Sequence, residues 1–241
     1  MFDLSPISAL TFDCYGTLVD WETGILQTVR GVCLTHGVPA PAEGELLNLY
    51  ADLEMQAECG GYRAYREVLA SVMEQLARQC GVKHLIEGER EALSASLPRW
   101  PVFPDTPEFL RRARAKYKLA ICSNIDNDLF EGTRVKLGAP IDHVITAQAC
   151  GSYKPNPRHF RLALAMLKLP AKRVLHVAES RRHDIEPAKA LGFQTAWVNR
   201  HKGRPGQSAS GSGNAVADLE VGSLDELADV LNLVPIESGR S

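Results

Sequence analysis

Hydrophobic residues along this chain fall into two alternating patterns: short apolar runs ending in polar residues, and longer stretches with apolar positions three or four apart. LTF at 10–12 runs into Asp13 and reads as a short buried strand that ends at the acid. Ile25, Leu26, Val29, Val32 and Cys33 recur at helical spacing, which predicts a helix from Trp21 to Gly37. Between Pro41 and Leu97 strand-like runs almost vanish. GELLNLYADLEMQAE, YRAYREVLASVMEQLARQ and EREALSASL predict several helices, separated by Gly60-Gly61 and Gly81. After Pro98 the two patterns alternate regularly. FLRRARAKYK, NIDNDLFEGTRVKLG, HFRLALAMLKL and IEPAKALG read as helices, and LAICS, VITA, RVLHVAES and TAWVNR as the strands between them. VADLEVGSLDELADVLN adds a last edge strand and helix.

This alternation predicts an α/β, Rossmann-like fold: an open, mostly parallel sheet with helices on both faces and right-handed crossovers. Residues 1–20 with 98–241 would form the core, and residues 21–97 an inserted helical cap. GRPGQSASGSGN, at 203–214, is Gly/Ser-rich and almost without apolar residues, which predicts a flexible loop within the core. It matches no GxxxxGK[ST] phosphate loop. Length and charge narrow the class. The 241 residues carry 27 basic and 29 acidic side chains, a net charge of -2, which argues against a charge-dominated nucleic-acid surface. The first residues, MFDLSPISALTF, lack the basic flank and length of a signal peptide or membrane span. Six scattered cysteines form no CxxC pair, so neither a zinc site nor a disulfide scaffold is expected, and a reduced, cytoplasmic protein is.

Four predicted strand ends carry polar groups: Asp13, Ser123-Asn124, Lys154, and Glu179 to Asp184. In a parallel sheet such ends open onto one crevice. One polar strand end is commonly a helix cap; four together point to chemistry. Asp13 is either a reactive carboxylate, held by backbone donors of the Gly16-Thr17 turn and braced by Thr17, or a structural cap. Lys154, fixed by the prolines of KPNP, would favour the ionised acid; the alternative is a solvated lysine. Ser123 and Asn124 can donate to a substrate, and Ser123 can equally cap a helix. His176 is expected to be buried in its strand, His183 to sit at the active edge, and Cys14 to point away from Asp13.

FDCYGTLVD, SNID, YKPNP and AESRRHDIEPAKALG occur in the order seen in the haloacid dehalogenase-like hydrolase superfamily, which the chain resembles over roughly residues 8–200. Tyr15 and TAWVNR look most like the L-2-haloacid dehalogenase branch. The resemblance implies that Asp13 attacks the substrate to form an aspartyl ester that water hydrolyses, with Lys154 and Asp184 completing the catalytic set. It implies a small anionic substrate whose carboxylate meets Ser123 and Asn124, and a homodimer is plausible for the branch; Tyr15, Thr17 and Arg181 are further residues expected to help position the substrate. Phosphatase relatives hold Mg2+ on acids matching Asp13, Glu179 and Asp184, and place an aspartate two residues after the nucleophile to protonate the leaving alcohol. Tyr15 replaces that aspartate, and a phenol with a pKa of ~10 is poorly matched to the task. Halide needs no proton. The reading is therefore hydrolytic dehalogenation of a small 2-haloalkanoic acid without a cofactor. The alternative is a magnesium-dependent phosphoric monoester hydrolase or phosphotransferase. Four positions depart from the dehalogenase branch: Ala51 for its halide-binding arginine, Arg181 for an asparagine, Phe160 for a tyrosine, and Glu179 for a serine. Arg63, Arg66, Arg181 or Arg182 would have to supply the anion contact, and Phe160 is most simply core.

Overall fold

A computed structural model describes residues 5–202 and 213–235. Six parallel strands form one sheet: β1 (Ala9–Phe12), β2 (Lys118–Ser123), β3 (His143–Thr146), β4 (Val174–Ala178), β5 (Gln194–Val198) and β6 (Leu219–Val221). Their spatial order is β3-β2-β1-β4-β5-β6. The chain reverses direction across the sheet at β1, so the crevice beyond the carboxyl ends of β1, β2 and β4 is the place where such sheets bind ligands.

Side-chain alternation sorts the two faces. Leu10, Phe12, Leu119, Ile121, Leu175 and Val177 enter the larger core. Ala9, Ala120, Cys122 and Val174 enter a smaller one that packs under α8 (Arg158–Leu167) and α9 (Glu186–Ala190) through Phe160, Ala163, Leu167 and Ala188. Small strand residues on that face let the helices approach closely. The other core helices are α5 (Thr106–Arg114), α6 (Asn127–Arg134), α7 (Ala147–Cys150) and α10 (Leu224–Val230).

Between β1 and β2 come α1 (Trp21–Thr35), α2 (Glu43–Glu58), α3 (Tyr65–Gln79) and α4 (Ala92–Ser96). The apolar faces of α1–α3 join the larger core through Ile25, Val29, Leu46, Tyr50, Leu69 and Met73. The amino end of α3 has no side-chain cap of its own. Asp126, from the loop after β2, serves instead: its Oδ1 accepts from Tyr65 N (2.9 Å) and the Tyr62 hydroxyl (3.0 Å), and its Oδ2 from Arg66 N (3.0 Å). An acid at the positive end of a helix satisfies donors the helix cannot, and here it also ties the insertion to the sheet. Asp126→Ala should lower stability by about 1–3 kcal/mol, read as the urea midpoint. An unchanged midpoint would deny the tie any weight. The neighbouring Arg66–Asp128 pair (2.6 Å) is exposed and should matter little.

Three local expectations change. The helix predicted over NIDNDLFEGTRVKLG is confined to Asn127–Arg134, leaving Asn124 to Asp126 as an irregular segment that carries polar groups. VITA stops as a strand at Thr146, whose Oγ1 accepts from Ala149 N (3.0 Å) and starts α7. The polar stretch after β4 is a wide π-type turn, Arg181–Ile185, capped by Ser180 Oγ accepting from His183 N (3.2 Å). The loop expected at 203–214 falls almost wholly outside the described residues. Among the described residues no helix is long and apolar enough to cross a membrane.

Candidate active site

β1 delivers Asp13 to the crevice: its N–H donates to Val177 O (3.1 Å), extending the β1–β4 ladder by one bond. The chain then turns sharply. Gly16 adopts φ +95, a conformation that favours glycine, and its N–H bonds Val19 O (2.8 Å). Leu18 N and Val19 N both donate to Cys14 O (2.7 and 3.0 Å). These bonds correct one expectation, because the turn's N–H groups hold the turn itself and not the carboxylate of Asp13. Thr17 does that through its hydroxyl, which donates to Asp13 Oδ2 (2.7 Å) and accepts from Glu179 N (2.9 Å). Cys14 is buried in the larger core, away from the crevice, and burial pushes its thiol well up.

Lys154 lies in the middle of the site, 3% exposed. Its Nζ donates to Asp13 Oδ1 (2.8 Å), Asp184 Oδ1 (2.6 Å) and Cys122 O (2.9 Å), so all three of its protons are used. Asn124 clamps the lysine's main chain: its Oδ1 accepts from Lys154 N (2.7 Å) and its Nδ2 donates to Lys154 O (3.2 Å). One amide proton of Asn124 is left over. Asp184, 1% exposed, also faces His176 Nε2 (3.0 Å).

Burial raises the carboxyl of Asp13 above the usual range; Lys154 opposes the rise and Asp184 adds to it. For Asp184 burial works the same way, but Lys154 and His176 outweigh it and hold the group at about 2. Burial alone would lower Lys154; the two carboxylates instead lift it above an ordinary ammonium. The site is thus one cation bridging two acids. His183 is pushed down to about 4, chiefly by burial, so it is uncharged at neutral pH.

A cavity of about 260 Å³ opens over this group. Asp13, Ser123, Asn124, Lys154, His183 and Asp184 form its floor, so the structure brings together most of the residues singled out in the sequence. Tyr15 lines one side, edge-on to Trp100 (5.9 Å), with its hydroxyl 2.8 Å from Thr133 Oγ1. Glu179 does not line the cavity; its carbonyl accepts from Trp197 Nε1 (2.6 Å). Arg181 also lies off it, stacked over the Trp197 ring at 3.5 Å, which corrects its expected place beside the substrate. Of the four arginines considered, Arg182 lines the cavity, near Met55 Sδ (3.0 Å). Arg63 bonds Ala57 O and Arg66 pairs with Asp128. Phe160 is core, edge-on to His176 (5.1 Å).

The magnesium set of the alternative reading, Asp13, Glu179 and Asp184, is not gathered around one point. No group of three or more His, Cys, Asp or Glu among the described residues has the arrangement of a metal site. The space between Asp13 Oδ1 and Asp184 Oδ1 is taken by an ammonium, Thr17 bonds Asp13 Oδ2, and Glu179 is away from the cavity. Three carboxylates around one hard cation is not the donor set present.

The opposite wall comes from the insertion: Trp21, Ala51, Met55 and Tyr65, with Asp52, Glu54 and Glu58. Glu54 Oε1 accepts from the hydroxyls of Tyr50 (2.9 Å) and Tyr65 (2.5 Å). Sequence reasoning overlooked this carboxylate. Tyr50 and Glu54 are one helical turn apart, which is a usable signal, but Tyr65 lies on another helix and no pattern announces it.

Residues 7–192 match the family model for haloacid dehalogenase-like hydrolase. The chain belongs to that family. The hydrolase is 27% identical to (S)-2-haloacid dehalogenase H-109 of Pseudomonas putida over 206 residues, which are 82% of this chain and 88% of the relative. It is 32% identical over 143 residues to phosphoserine phosphatase of Thermus thermophilus, covering 57% of this chain and 54% of that one. Among solved structures it superposes on L-2-haloacid dehalogenase PA0810 with a TM-score of 0.80 at 27% identity, covering 95% of this chain and 100% of the other. The α/β fold with its parallel six-stranded sheet is the fold of that dehalogenase.

Proposed function

We propose that the hydrolase removes halide from a small 2-haloalkanoic acid through an ester on Asp13. A carboxylate oxygen of Asp13 attacks the halogen-bearing carbon; the C–O bond forms as the C–halogen bond breaks, and halide leaves with the electron pair. Water then attacks the ester carbonyl, releasing a 2-hydroxy acid and one proton and restoring the carboxylate. Lys154 offsets charge at Asp13 throughout, and Asp184 keeps Lys154 in place. Ser123 and the spare amide proton of Asn124 take the substrate carboxylate. The insertion acts as a cap that closes the apolar side with Trp21, Met55 and Tyr65, and Arg182 at its edge meets the departing halide in place of the arginine absent at Ala51.

Tyr15 carries the reading. Its position, two residues after the nucleophile, offers no carboxyl, and its hydroxyl is engaged with Thr133 (2.8 Å). Burial raises its pKa still further from neutrality, so it is unsuited to protonating an alkoxide leaving group, whereas halide leaves without a proton. The similarity to 2-haloacid dehalogenases over most of the chain supports the same conclusion. Incubation with racemic 2-chloropropionate should release halide; a folded enzyme that releases none from a panel of haloacids refutes the assignment. Arg182→Gln should lower kcat/KM for 2-chloropropionate by roughly tenfold, and an unchanged value would remove Arg182 from the halide's path.

The phosphoserine phosphatase similarity favours a second reading, phosphoric monoester hydrolysis. A phosphatase screen with Mg2+ or with EDTA separates the two, since only the phosphatase should depend on the metal.

A further inference from the structure

Behind the site, on the α8 side of the sheet, lies a histidine for which the two steps above have no use. His176, in β4, is fully buried and stands directly opposite Thr11 of β1 in the parallel register. Its Nδ1 is 2.8 Å from Thr11 Oγ1 and its Nε2 is 3.0 Å from Asp184 Oδ1. Phe160 and Phe193 pack edge-on against the ring, with centroids at 5.1 and 6.4 Å, and hold its plane. The same Asp184 oxygen accepts from Lys154 Nζ (2.6 Å), and Lys154 reaches Asp13 (2.8 Å). One unbroken chain therefore joins Thr11, His176, Asp184, Lys154 and Asp13.

Proton placement along this chain is determined by what each atom is able to do. An ionised carboxylate only accepts, so Nε2 must carry hydrogen. A ring carrying a single proton leaves Nδ1 bare, and the buried Thr11 hydroxyl is the group that can donate to it. The other tautomer would set a bare Nε2 against a carboxylate oxygen and leave the two lone pairs facing each other. Asp184 thus selects the tautomer, and the Thr11 hydroxyl, which can donate or accept, completes it by donating to Nδ1.

We propose that His176 is a positioning residue of the hydrolase: Asp184 fixes it as the Nε2–H tautomer, Thr11 satisfies its Nδ1, and the ring in turn anchors Asp184 so that Lys154 is held against the nucleophile. This rests on Asp13 being the attacking group. Asp184 sits on the wide turn after β4, where a carboxylate bonded to Lys154 alone is free to swing about its own side-chain torsions and take the ammonium with it. A buried donor rooted in a central strand removes that freedom.

Nitrogen-15 NMR of histidine-labelled enzyme at pH 7, with the His176 signals assigned among the seven histidines, should show that ring protonated at Nε2 and bare at Nδ1. His176→Phe should lower kcat on 2-chloropropionate by about thirtyfold while KM stays within about threefold. Thr11→Val should lower kcat by about threefold or more, and Thr11→Ser should restore it; a merely structural role would not give a hydroxyl-specific rescue. If His176→Phe does not fold, the Thr11 pair and the NMR tautomer still decide. A ring protonated at Nδ1, or a wild-type kcat in folded Thr11→Val, overturns the proposal. An Nε2–H tautomer in an enzyme that dehalogenates nothing would support this arrangement and sink the dehalogenase reading.

Discussion

Asp13→Asn is expected to abolish turnover, with kcat falling by roughly 10⁴-fold or more, in a protein that still folds. The amide keeps the shape of the carboxylate, and its oxygen can still accept from Thr17 or Lys154, now at 2.7 and 2.8 Å. It supplies no anionic oxygen to attack carbon. Stability should change little, because the carboxylate is 7% exposed and its burial opposes ionisation, while Lys154 retains Asp184 and Cys122 O as partners. Halide release by the variant, alongside its thermal midpoint and near-UV circular dichroism, tests both halves. More than about one hundredth of wild-type activity would remove Asp13 from the covalent role.

Lys154→Met has the second large effect, and it acts on stability as well as rate. The substitution leaves two buried carboxylates facing each other without their cation. Breaking a buried pair from one side costs about 3–5 kcal/mol, so the variant should unfold at clearly lower urea near pH 7. Its pH dependence should also invert. In the wild type Asp184 is held at about 2; its contribution is complete above the unfolded carboxyl value of ~3.9 and is lost as pH falls from there through the folded value. Without Lys154, Asp13, already raised by burial, rises further, and burial and repulsion raise Asp184 against His176 alone. Folding then favours protonation, and stability should increase as pH falls from 7 towards 5. Urea midpoints at pH 5 and 7 check the sign. A variant as stable as the wild type at pH 7, or less stable at pH 5 than at 7, contradicts this electrostatic arrangement. Activity should be lost with it, since nothing else in the cavity floor offsets charge at Asp13.

The fold was legible because the chain writes it in two periods. Short apolar runs ending in Asp13, Ser123 and the residues after Ala178 became parallel strands whose polar ends share one crevice. The helix-only interval before Pro98 became α1–α4. Contacts that depend on turn geometry were not legible. Glu179 and Asp184 are five apart and read as neighbours in the cavity, but the wide turn Arg181–Ile185 sends Arg182, His183 and Asp184 inward and leaves Arg181 on Trp197. Periodicity carries no information about such a turn. Nor does it identify partners distant in sequence: Asp126 capping α3, Tyr65 joining Tyr50 on Glu54, and Thr11 meeting Nδ1 of His176 all come from tertiary packing. Burial of His176 was readable from strand alternation, while its bond to Asp184 was not.

The covalent step is tested most directly by one turnover in H₂¹⁸O with enzyme in excess over 2-chloropropionate. Hydrolysis of an Asp13 ester at its carbonyl puts solvent oxygen into the enzyme, and the released 2-hydroxy acid takes its new oxygen from the protein. Mass spectrometry should therefore find ¹⁸O in the peptide containing Asp13 and none in the first-turnover product. Label in the product with an unlabelled Asp13 peptide would mean that water attacks the substrate carbon itself, and would contradict the account.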